Sequence, residues 1–274
     1  MSRSENLPVI PQSLSAIIQM SESDFSMRSI EKVLERDPSV STKILKVANS
    51  TYYGAGSVQS IGRAIQVLGS SGIKSVVTSL AMQSIVAGNS YCSRFNRVDY
   101  WKHSLATAVC CRILGRLKMP QKAEELYAAG LMHDVGLIIM DRFMPGELDV
   151  CLEESAISGL PLHYVEQERL GYSHADVGAA LTEKWKFSPL IVSAIKNHHQ
   201  QELDAESFKA TMAVHLADSF AHEAGYDNSQ IAGLHNIDDY FLTKMEISEE
   251  NAKVIEQVTV VEVERATEAF QAAA

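Results

Sequence analysis

The stretch VDYWKHSLATAVCCRILGRL, residues 98–117, shows the helical pattern that recurs along most of the chain. Its apolar residues are spaced three and four positions apart, as on one face of an α-helix. Five residues share that face: His103, Ala106, Cys110, Ile113 and Leu117. Met119 and Pro120 end the pattern. We therefore predict a long amphipathic helix that carries His103 on its buried side.

The same spacing continues on both sides of this helix, whereas the strict alternation typical of strands is scarce. Gly69 to Gly72 separates two predicted helices, and the β-branched residues over 258–263 disfavour helix locally. The predicted fold class is all-α. Further helices are predicted over residues 13–20, 27–35, 38–48, 61–68, 73–87, 124–134, 137–143, 147–158, 164–171, 189–200 and 208–224, and from residue 173.

Composition excludes several classes of protein. The chain has 274 residues, of which 46% are hydrophobic and 21% charged, as in an ordinary globular protein. No apolar run approaches the roughly 20 residues that cross a bilayer, and the polar N-terminal residues lack a signal-peptide core. We expect no membrane association and a cytoplasmic location. The cysteines show no metal-binding spacing and are predicted to be reduced thiols: Cys92, Cys110, Cys111 and Cys151.

Charge is distributed unevenly along the chain. Residues 1–119 carry 14 Lys and Arg against 7 Asp and Glu, whereas residues 120–274 carry 10 against 27. We predict two parts, residues 1–92 and 93–274, although drift in surface composition explains the asymmetry equally well. The net charge of −10 disfavours nucleic acid as a partner, because duplex binding depends on Lys and Arg. Binding of nucleic acid through the basic part stays a lesser alternative.

Histidines and aspartates recur on the inward faces of successive helices. A single histidine on such a face is more often a core residue than a ligand, but a buried aspartate is costly unless it is paired or binds metal. Imidazole and carboxylate together suit Zn, Mn, Fe or Ni, and helical bundles build such sites from facing side chains. The candidate metal ligands are Asp99, His103, His133, Asp134, His174, His198, His199 and Asp218. The other histidines are interpreted as surface or supporting residues: His163, His215, His222 and His235.

In this pattern the chain resembles the HD superfamily of metal-dependent phosphohydrolases, and especially its HDOD branch, the HD-related output domain of bacterial signalling. His103, the His133-Asp134 doublet and Asp218 are similar to the H…HD…D quartet of that superfamily. The resemblance spans about residues 7–220 and implies a helical N-terminal subdomain packed on an HD-like helical bundle. Six segments carry it: LPVIPQSL (7–14), DPSVSTKILKVANSTYYG (37–54), SIGRAIQVLGSSGIKSVV (60–77), GLMHDVG (130–136), HADVGAALTEKW (174–185) and NHH (197–199).

The resemblance extends to the HD-GYP phosphodiesterases, which cleave cyclic dinucleotides. It implies one or two divalent transition metal ions (Fe, Mn, Ni or Zn). The quartet would hold the first ion, with Asp134 as the bridging ligand and Asp99 in the place of an acidic ligand. His133 and Asp134 would form the catalytic centre. By the same resemblance, the second ion would be completed by His174, His198 and His199.

Two departures bear on catalysis. Leu137 stands where active relatives carry a Lys after HDxG, and residues 200–204 lead into the next helix without a GYP segment. We therefore expect a regulatory signal-transduction protein with an HD-type metal site, which receives its signal from a protein partner. The alternative is a phosphohydrolase or phosphodiesterase that acts on a nucleotide or cyclic dinucleotide, with a cation such as Lys102 borrowed from the basic part.

Overall fold

A computed structural model describes residues 12–20, 26–34, 36–54, 56–200, 208–228 and 239–273, apart from the side chain of Met27. The protein is 78% helical, which confirms the all-α class, and the described residues contain no strand. The helices are α1 (Gln12–Ile18), α2 (Met27–Leu34), α3 (Pro38–Ala48), α4 (Ile61–Val86), α5 (Arg97–Lys118), α6 (Ala123–Met132), α7 (Val135–Phe143), α8 (Pro145–Ser158), α9 (Leu162–Leu170), α10 (His174–Lys184), α11 (Pro189–Asn197), α12 (Phe208–Glu223), α13 (Asp239–Lys244) and α14 (Glu249–Ala273), with a 3-10 turn at Pro120–Lys122.

The structure confirms the predicted break at Gly69 and places a helix where β-branched residues disfavour one. The break predicted after residue 68 is a kink within α4, where Gly69 has φ 69° and ψ 173°. A positive φ is strained for residues with a Cβ, so glycine suits this position. The β-branched run over 258–263, by contrast, lies inside α14. Val263 and Ala266 are fully buried there, and their packing overrides the local preference against helix.

The helices group into two compact units. The N-terminal unit contains the described residues of Val9–Ile85 and Val261–Ala274, and the central unit contains those of Val86–Val260. The C-terminal half of α14 is thus grouped with the helices at the start of the chain. The division of the chain into residues 1–92 and 93–274 stays a prediction.

In the N-terminal unit, α3 begins with two residues that favour a helix start. Asp37 is the N-cap, and its side chain accepts a hydrogen bond from the backbone N–H of Val40 at 3.1 Å. Pro38 follows at the first helical position, where its missing N–H costs nothing. The Ser13 hydroxyl donates to the other Asp37 oxygen at 2.7 Å and thereby ties α1 to the start of α3.

In the central unit, glycine allows α6 to approach α5 closely. A Cβ added at Gly130 would lie 2.6 Å from the Cys111 sulfur and 2.9 Å from the Thr107 carbonyl oxygen. Real Cβ atoms essentially never come within 3.0 Å of another heavy atom, so a larger residue would push the two helices apart. The close approach brings the end of α6, where the His133-Asp134 doublet lies, to the face of α5 that carries His103.

A second close approach joins α7 to α10. A Cβ added at Gly136 would overlap the backbone carbonyl oxygen of His174, the first residue of α10. Gly178 faces the same contact from α10, with its added Cβ 3.3 Å from the backbone nitrogen of Gly136. The two glycines let the starts of α7 and α10 meet at backbone distance, which brings His174 beside the doublet.

A buried ion pair links α5 to α7. The Asp141 side chain is fully buried and accepts hydrogen bonds from Arg97 Nε at 2.8 Å and from the amides of Tyr91 and Cys92 at 2.8 and 2.7 Å. A second Arg97 nitrogen lies 2.7 Å from the same carboxylate. The charge of Asp141 is therefore compensated on several sides, as a buried charge requires.

None of the helices that the structure describes combines the length and apolarity of a membrane span. The four cysteines are buried and form no disulfide. Burial raises the pKa of Cys110 to about 12, so this residue remains a thiol at neutral pH.

Candidate metal centre

The first group of candidate ligands joins α5 and α12. His103 is fully buried, and its Nε2 lies 3.1 Å from Oδ1 of Asp218, which α12 contributes. Its Nδ1 lies 2.7 Å from the backbone carbonyl oxygen of Tyr226, just beyond α12. His103 lies on the inner face of α5, as the spacing predicts, and there it contacts an aspartate 115 positions further along the chain.

The His133-Asp134 doublet occupies the sharp turn between α6 and α7, and both side chains are buried. Nε2 of His133 lies 3.3 Å from Nε2 of His103 and 3.2 Å from Oδ2 of Asp134. It lies 3.7 Å from Oδ1 of Asp218. Nε2 of His133 therefore lies within 3.7 Å of a ligand atom from each of the other three residues of the quartet.

The other Asp134 oxygen faces a second group. Oδ1 of Asp134 lies 3.1 Å from Nε2 of His174 and 3.4 Å from Nε2 of His198. Nε2 of His199 lies 2.9 Å from Nε2 of His174. Asp134 thus directs one oxygen toward each group of candidate ligands.

The rings are held from behind by acceptor groups. Nδ1 of His133 lies 2.8 Å from the Gly130 carbonyl oxygen, and Nδ1 of His198 lies 2.7 Å from that of Ile195. Nδ1 of His174 lies 2.6 Å from Oε2 of Glu166, a buried carboxylate of α9. A carbonyl oxygen can only accept, so each such Nδ1 carries the hydrogen and the neutral ring presents a lone pair at Nε2. Metal-binding histidines are oriented in this way.

The orientation of the histidine rings shows whether these side chains suit a metal ion. With Nδ1 of both His103 and His133 donating to carbonyl oxygens, their Nε2 lone pairs face each other at 3.3 Å. Lone pairs at that separation repel unless a proton or a cation lies between them. Imidazole nitrogens and carboxylate oxygens are ligands of Zn, Fe, Mn and Ni. The donor set therefore fits a divalent transition metal.

The histidines of this centre differ in pKa: burial lowers the pKa of His198 and His199, whereas neighbouring carboxylates outweigh burial at His133 and His174. Burial lowers the pKa of His133, but the adjacent Asp134 carboxylate outweighs burial and raises it to about 9. Burial likewise opposes charge on His174, yet Glu166 and Asp134 raise its pKa to about 10. Burial raises the pKa of Asp134, and its histidine neighbours bring it well below the usual value. The carboxylates stay ionised and draw positive charge to the centre, as protons or as a metal ion.

Comparison with known proteins identifies the family of this chain. The family model of the HDOD domain matches residues 7–201. The chain belongs to the HDOD family. An uncharacterized protein of Treponema pallidum (strain Nichols) is 23% identical to this HDOD chain over 210 residues. The match covers 76% of this chain and 40% of that protein, so the chain spans less than half of its relative's length.

Solved structures share the fold of this HDOD protein. An HDOD domain protein with unknown function from Geobacter sulfurreducens has a TM-score of 0.75 at 21% identity and covers 97% of this chain and 92% of its own. A protein described as "Putative phosphohydrolase" from Shewanella amazonensis SB2B has a TM-score of 0.75 at 20% identity, over 98% of this chain and 96% of its own. At these identities the likeness establishes the fold alone.

Most predicted ligands of the HDOD chain meet, and one does not. Among the described residues, Asp99 belongs to none of the groups whose ligand atoms lie within 4.8 Å of one another. It is half-buried in the first turn of α5. Leu137, at the position of the family's lysine, is fully buried in the core, and Lys102 is exposed. The segment where GYP is expected falls largely on residues 201–207, outside the described residues.

The remaining histidines have separate outcomes. Nδ1 of His215 lies 2.9 Å from the His198 carbonyl oxygen, and the His163 ring stacks on that of His199 with centroids 4.1 Å apart. Both histidines therefore contact predicted ligand residues. His222 lies closer, with Nε2 3.5 Å from Oδ1 of Asp218. His235 lies outside the described residues.

Three residues that contact the candidate ligands were not predicted from the sequence. Glu166 holds His174, and the Asn228 side-chain amide donates to Oδ2 of Asp134 at 2.6 Å. Asp227 accepts from Nδ1 of His222 at 2.9 Å. No local pattern singles out Glu166 or Asn228, because the contact from Asn228 spans 94 positions. The spacing of His222, four positions after Asp218, was a usable signal.

Proposed function

We propose that this HDOD protein is a regulatory signal-transduction module of the cytoplasm that binds one or two divalent transition metal ions (Fe, Mn, Ni or Zn). The first would be held by the quartet of His103, His133, Asp134 and Asp218. The second would be held by Asp134 with His174, His198 and His199. The N-terminal part, residues 1–92, and the part with the metal site, residues 93–274, would together present a surface to a protein partner.

The convergence of Nε2 atoms supports the metal site. His103, His133 and His198 each direct Nδ1 at a backbone carbonyl oxygen, so their metal-binding nitrogens face the carboxylates. Helix α5, the turn between α6 and α7 and the end of α11 hold these three rings before any metal binds. Preorganised ligands lose little conformational freedom on binding, which favours affinity.

The surroundings of the doublet support regulation over turnover. Position 137, three residues after Asp134, carries a buried leucine. A leucine there offers no positive charge to a phosphate group, and a phosphoryl transition state needs such stabilisation. A metal at the centre would then hold helices α5, α6 and α12 in one arrangement that a partner recognises.

The alternative, a metal-dependent phosphohydrolase or phosphodiesterase, is supported by the two directions of the Asp134 carboxylate. Its oxygens lie 3.2 Å from Nε2 of His133 and 3.1 Å from Nε2 of His174. A pair of divalent ions lowers the pKa of water between them and stabilises charge on a phosphate. The residues of this chain would hold the ions, and a nucleotide or cyclic dinucleotide would be the substrate.

Metal content of protein purified without chelator tests the proposal, measured by inductively coupled plasma mass spectrometry. The wild type is expected to contain near-stoichiometric Fe, Mn, Ni or Zn. The double variant His133→Ala/Asp134→Ala should lose it, because it removes two ligands, one of which is the shared carboxylate. Lys102→Ala is the matched control, since this exposed residue neighbours His103 without contributing a ligand.

A wild-type protein that contains no metal and takes up none on reconstitution would contradict the metal site. Circular dichroism checks the fold of the double variant, and Asp134→Asn preserves side-chain shape if that variant unfolds. Hydrolysis of bis-p-nitrophenyl phosphate or cyclic dinucleotides by the metal-loaded wild type, abolished in Asp134→Asn, would establish the alternative. Absence of hydrolysis in the metal-loaded protein favours the regulatory role.

A further inference from the structure

His222 lies at the metal centre although the H…HD…D pattern does not include it. It follows Asp218 by one helical turn on α12, and its Nε2 lies 3.5 Å from Oδ1 of that aspartate. The His222 ring packs against the His103 ring with centroids 4.5 Å apart. Its side chain is only 3% exposed. His103, Asp218 and His222 each bring one ligand atom to within 4.8 Å of the other two.

The far side of the His222 ring is oriented by Asp227. Oδ1 of Asp227 lies 2.9 Å from Nδ1 of His222. A carboxylate accepts the Nδ1 hydrogen, and the neutral ring then directs an Nε2 lone pair toward Asp218. The same arrangement fixes His174 through Glu166 in the other group. Carboxylate, histidine and metal in series are a common feature of protein metal sites.

The chemistry of this face matches a cation. Two imidazole nitrogens and one carboxylate oxygen form the ligand set of many Zn, Fe and Mn sites. Asp218 Oδ1 lies 3.1 Å from Nε2 of His103 and 3.5 Å from Nε2 of His222, so both rings face one oxygen. The competing explanation is a plain ion pair, in which a doubly protonated His222 bridges Asp218 and Asp227.

We propose that His222 is a metal ligand that, with His103 and Asp218, holds a divalent cation on the α12 side of the centre. Asp227 is the residue that positions the His222 ring. The inference rests on the proposed function, because His103 and Asp218 also belong to the quartet. It adds a ligand from α12 that the family pattern of this chain lacks.

Titration with Co²⁺ tests the assignment, because the visible absorption of this ion reports its number of ligands. The full chain is stripped of metal and titrated as wild type, His222→Ala and Asp227→Asn. His222→Ala is expected to lose one Co²⁺ equivalent or to bind it at least tenfold more weakly, with a changed spectrum. Asp227→Asn should weaken the same equivalent by about tenfold, as is usual for residues that orient a ligand.

Glu223→Ala is the matched control, since Glu223 is exposed on the same turn of α12. If His222→Ala fails to fold, His222→Gln and Asp227→Asn carry the test, and Asp227 tolerates substitution because its side chain is 69% exposed. A His222→Ala titration and spectrum equal to the wild type would overturn this assignment and favour the ion pair. A wild type that binds no Co²⁺ would instead overturn the proposed metal function, and this assignment with it.

Discussion

The two units bury polar groups in different ways. In the N-terminal unit, the Ser79 hydroxyl is buried and donates to the Ser75 carbonyl oxygen one turn earlier at 2.9 Å. The central unit also buries such hydroxyls, for example Thr182, which donates to the Gly178 carbonyl oxygen, but it buries ionisable groups as well, and several of these find partners on other helices. His103 contacts Asp218, and Arg97 contacts Asp141 across 44 positions.

This difference indicates which unit depends on paired charges for its stability. A hydroxyl satisfied within its own helix costs little and requires no particular neighbour. A buried carboxylate or imidazolium requires compensation by another charge. If one partner of such a pair is removed, the other remains buried with an uncompensated charge, which destabilises the fold. The central unit accordingly depends on long-range pairs of charged groups, including those of the candidate metal centre, whereas the N-terminal unit depends on apolar packing and helix caps.

Arg97→Met should show the largest effect on stability. It leaves the fully buried Asp141 without its cation, and loss of one partner of a buried pair costs about 3–5 kcal/mol. Urea unfolding followed by circular dichroism measures the change. Arg94→Met is the control, because Arg94 pairs with Glu153 at an exposed position and should cost less than about 1 kcal/mol. Equal losses of unfolding free energy in the two variants would show that the buried ion pair of this unit stabilises it no more than the exposed one.

Gly136→Ala should destabilise the central unit by about 1–3 kcal/mol, the range for overpacking, and weaken metal binding as well. Its Cβ would overlap the His174 carbonyl oxygen, so α10 must move and carry His174 away from Asp134. Urea unfolding and Co²⁺ titration measure the two effects. Gly146→Ala is the control, since no atom lies within 4 Å of its added Cβ. Unchanged metal affinity in Gly136→Ala would show that this close approach does not set the position of His174.

Asp37→Ala should have the smallest effect, about 1 kcal/mol at pH 7, the usual contribution of a helix cap. The Ser13 hydroxyl, followed by the Val40 amide, holds the pKa of Asp37 below its usual value. A lowered carboxyl pKa stabilises the folded state above the unfolded pKa, and that contribution is lost as pH falls. The difference between wild type and variant in urea unfolding should therefore shrink below about pH 4. The difference between Asp37→Asn and Asp37→Ala should show no such pH dependence, because neither variant carries the carboxyl group. A difference between wild type and Asp37→Ala that stays constant with pH would contradict the assignment.

Local patterns predicted the helices and the inward faces well, because helix periodicity is encoded within a few residues. His103 was identified from the spacing of its apolar neighbours, and the break at Gly69 from a glycine-rich segment. Asp99 shows the limit of that reasoning. It lies one turn before His103, yet the rotation of α5 leaves it half-buried and outside the groups of ligand atoms.

The supporting residues could not be predicted, because they depend on which helices meet. Glu166 lies in α9 among ordinary charged residues, and only the fold brings it to His174. Asn228 reaches Asp134 across 94 positions. For both, the sequence contains the residue but no periodic or spacing signal that connects it to its partner.

Three consecutive residues after α12 contact three different side chains of the candidate metal centre. The Tyr226 carbonyl contacts His103, the Asp227 carboxylate contacts His222, and the Asn228 amide contacts Asp134. Local opening of this short segment would release all three contacts in one event, so its opening equilibrium enters the affinity for metal. Because coupling between two equilibria is reciprocal, a bound cation suppresses opening by the same factor by which opening weakens binding. Metal binding should thus slow hydrogen exchange at the amides of residues 226–228.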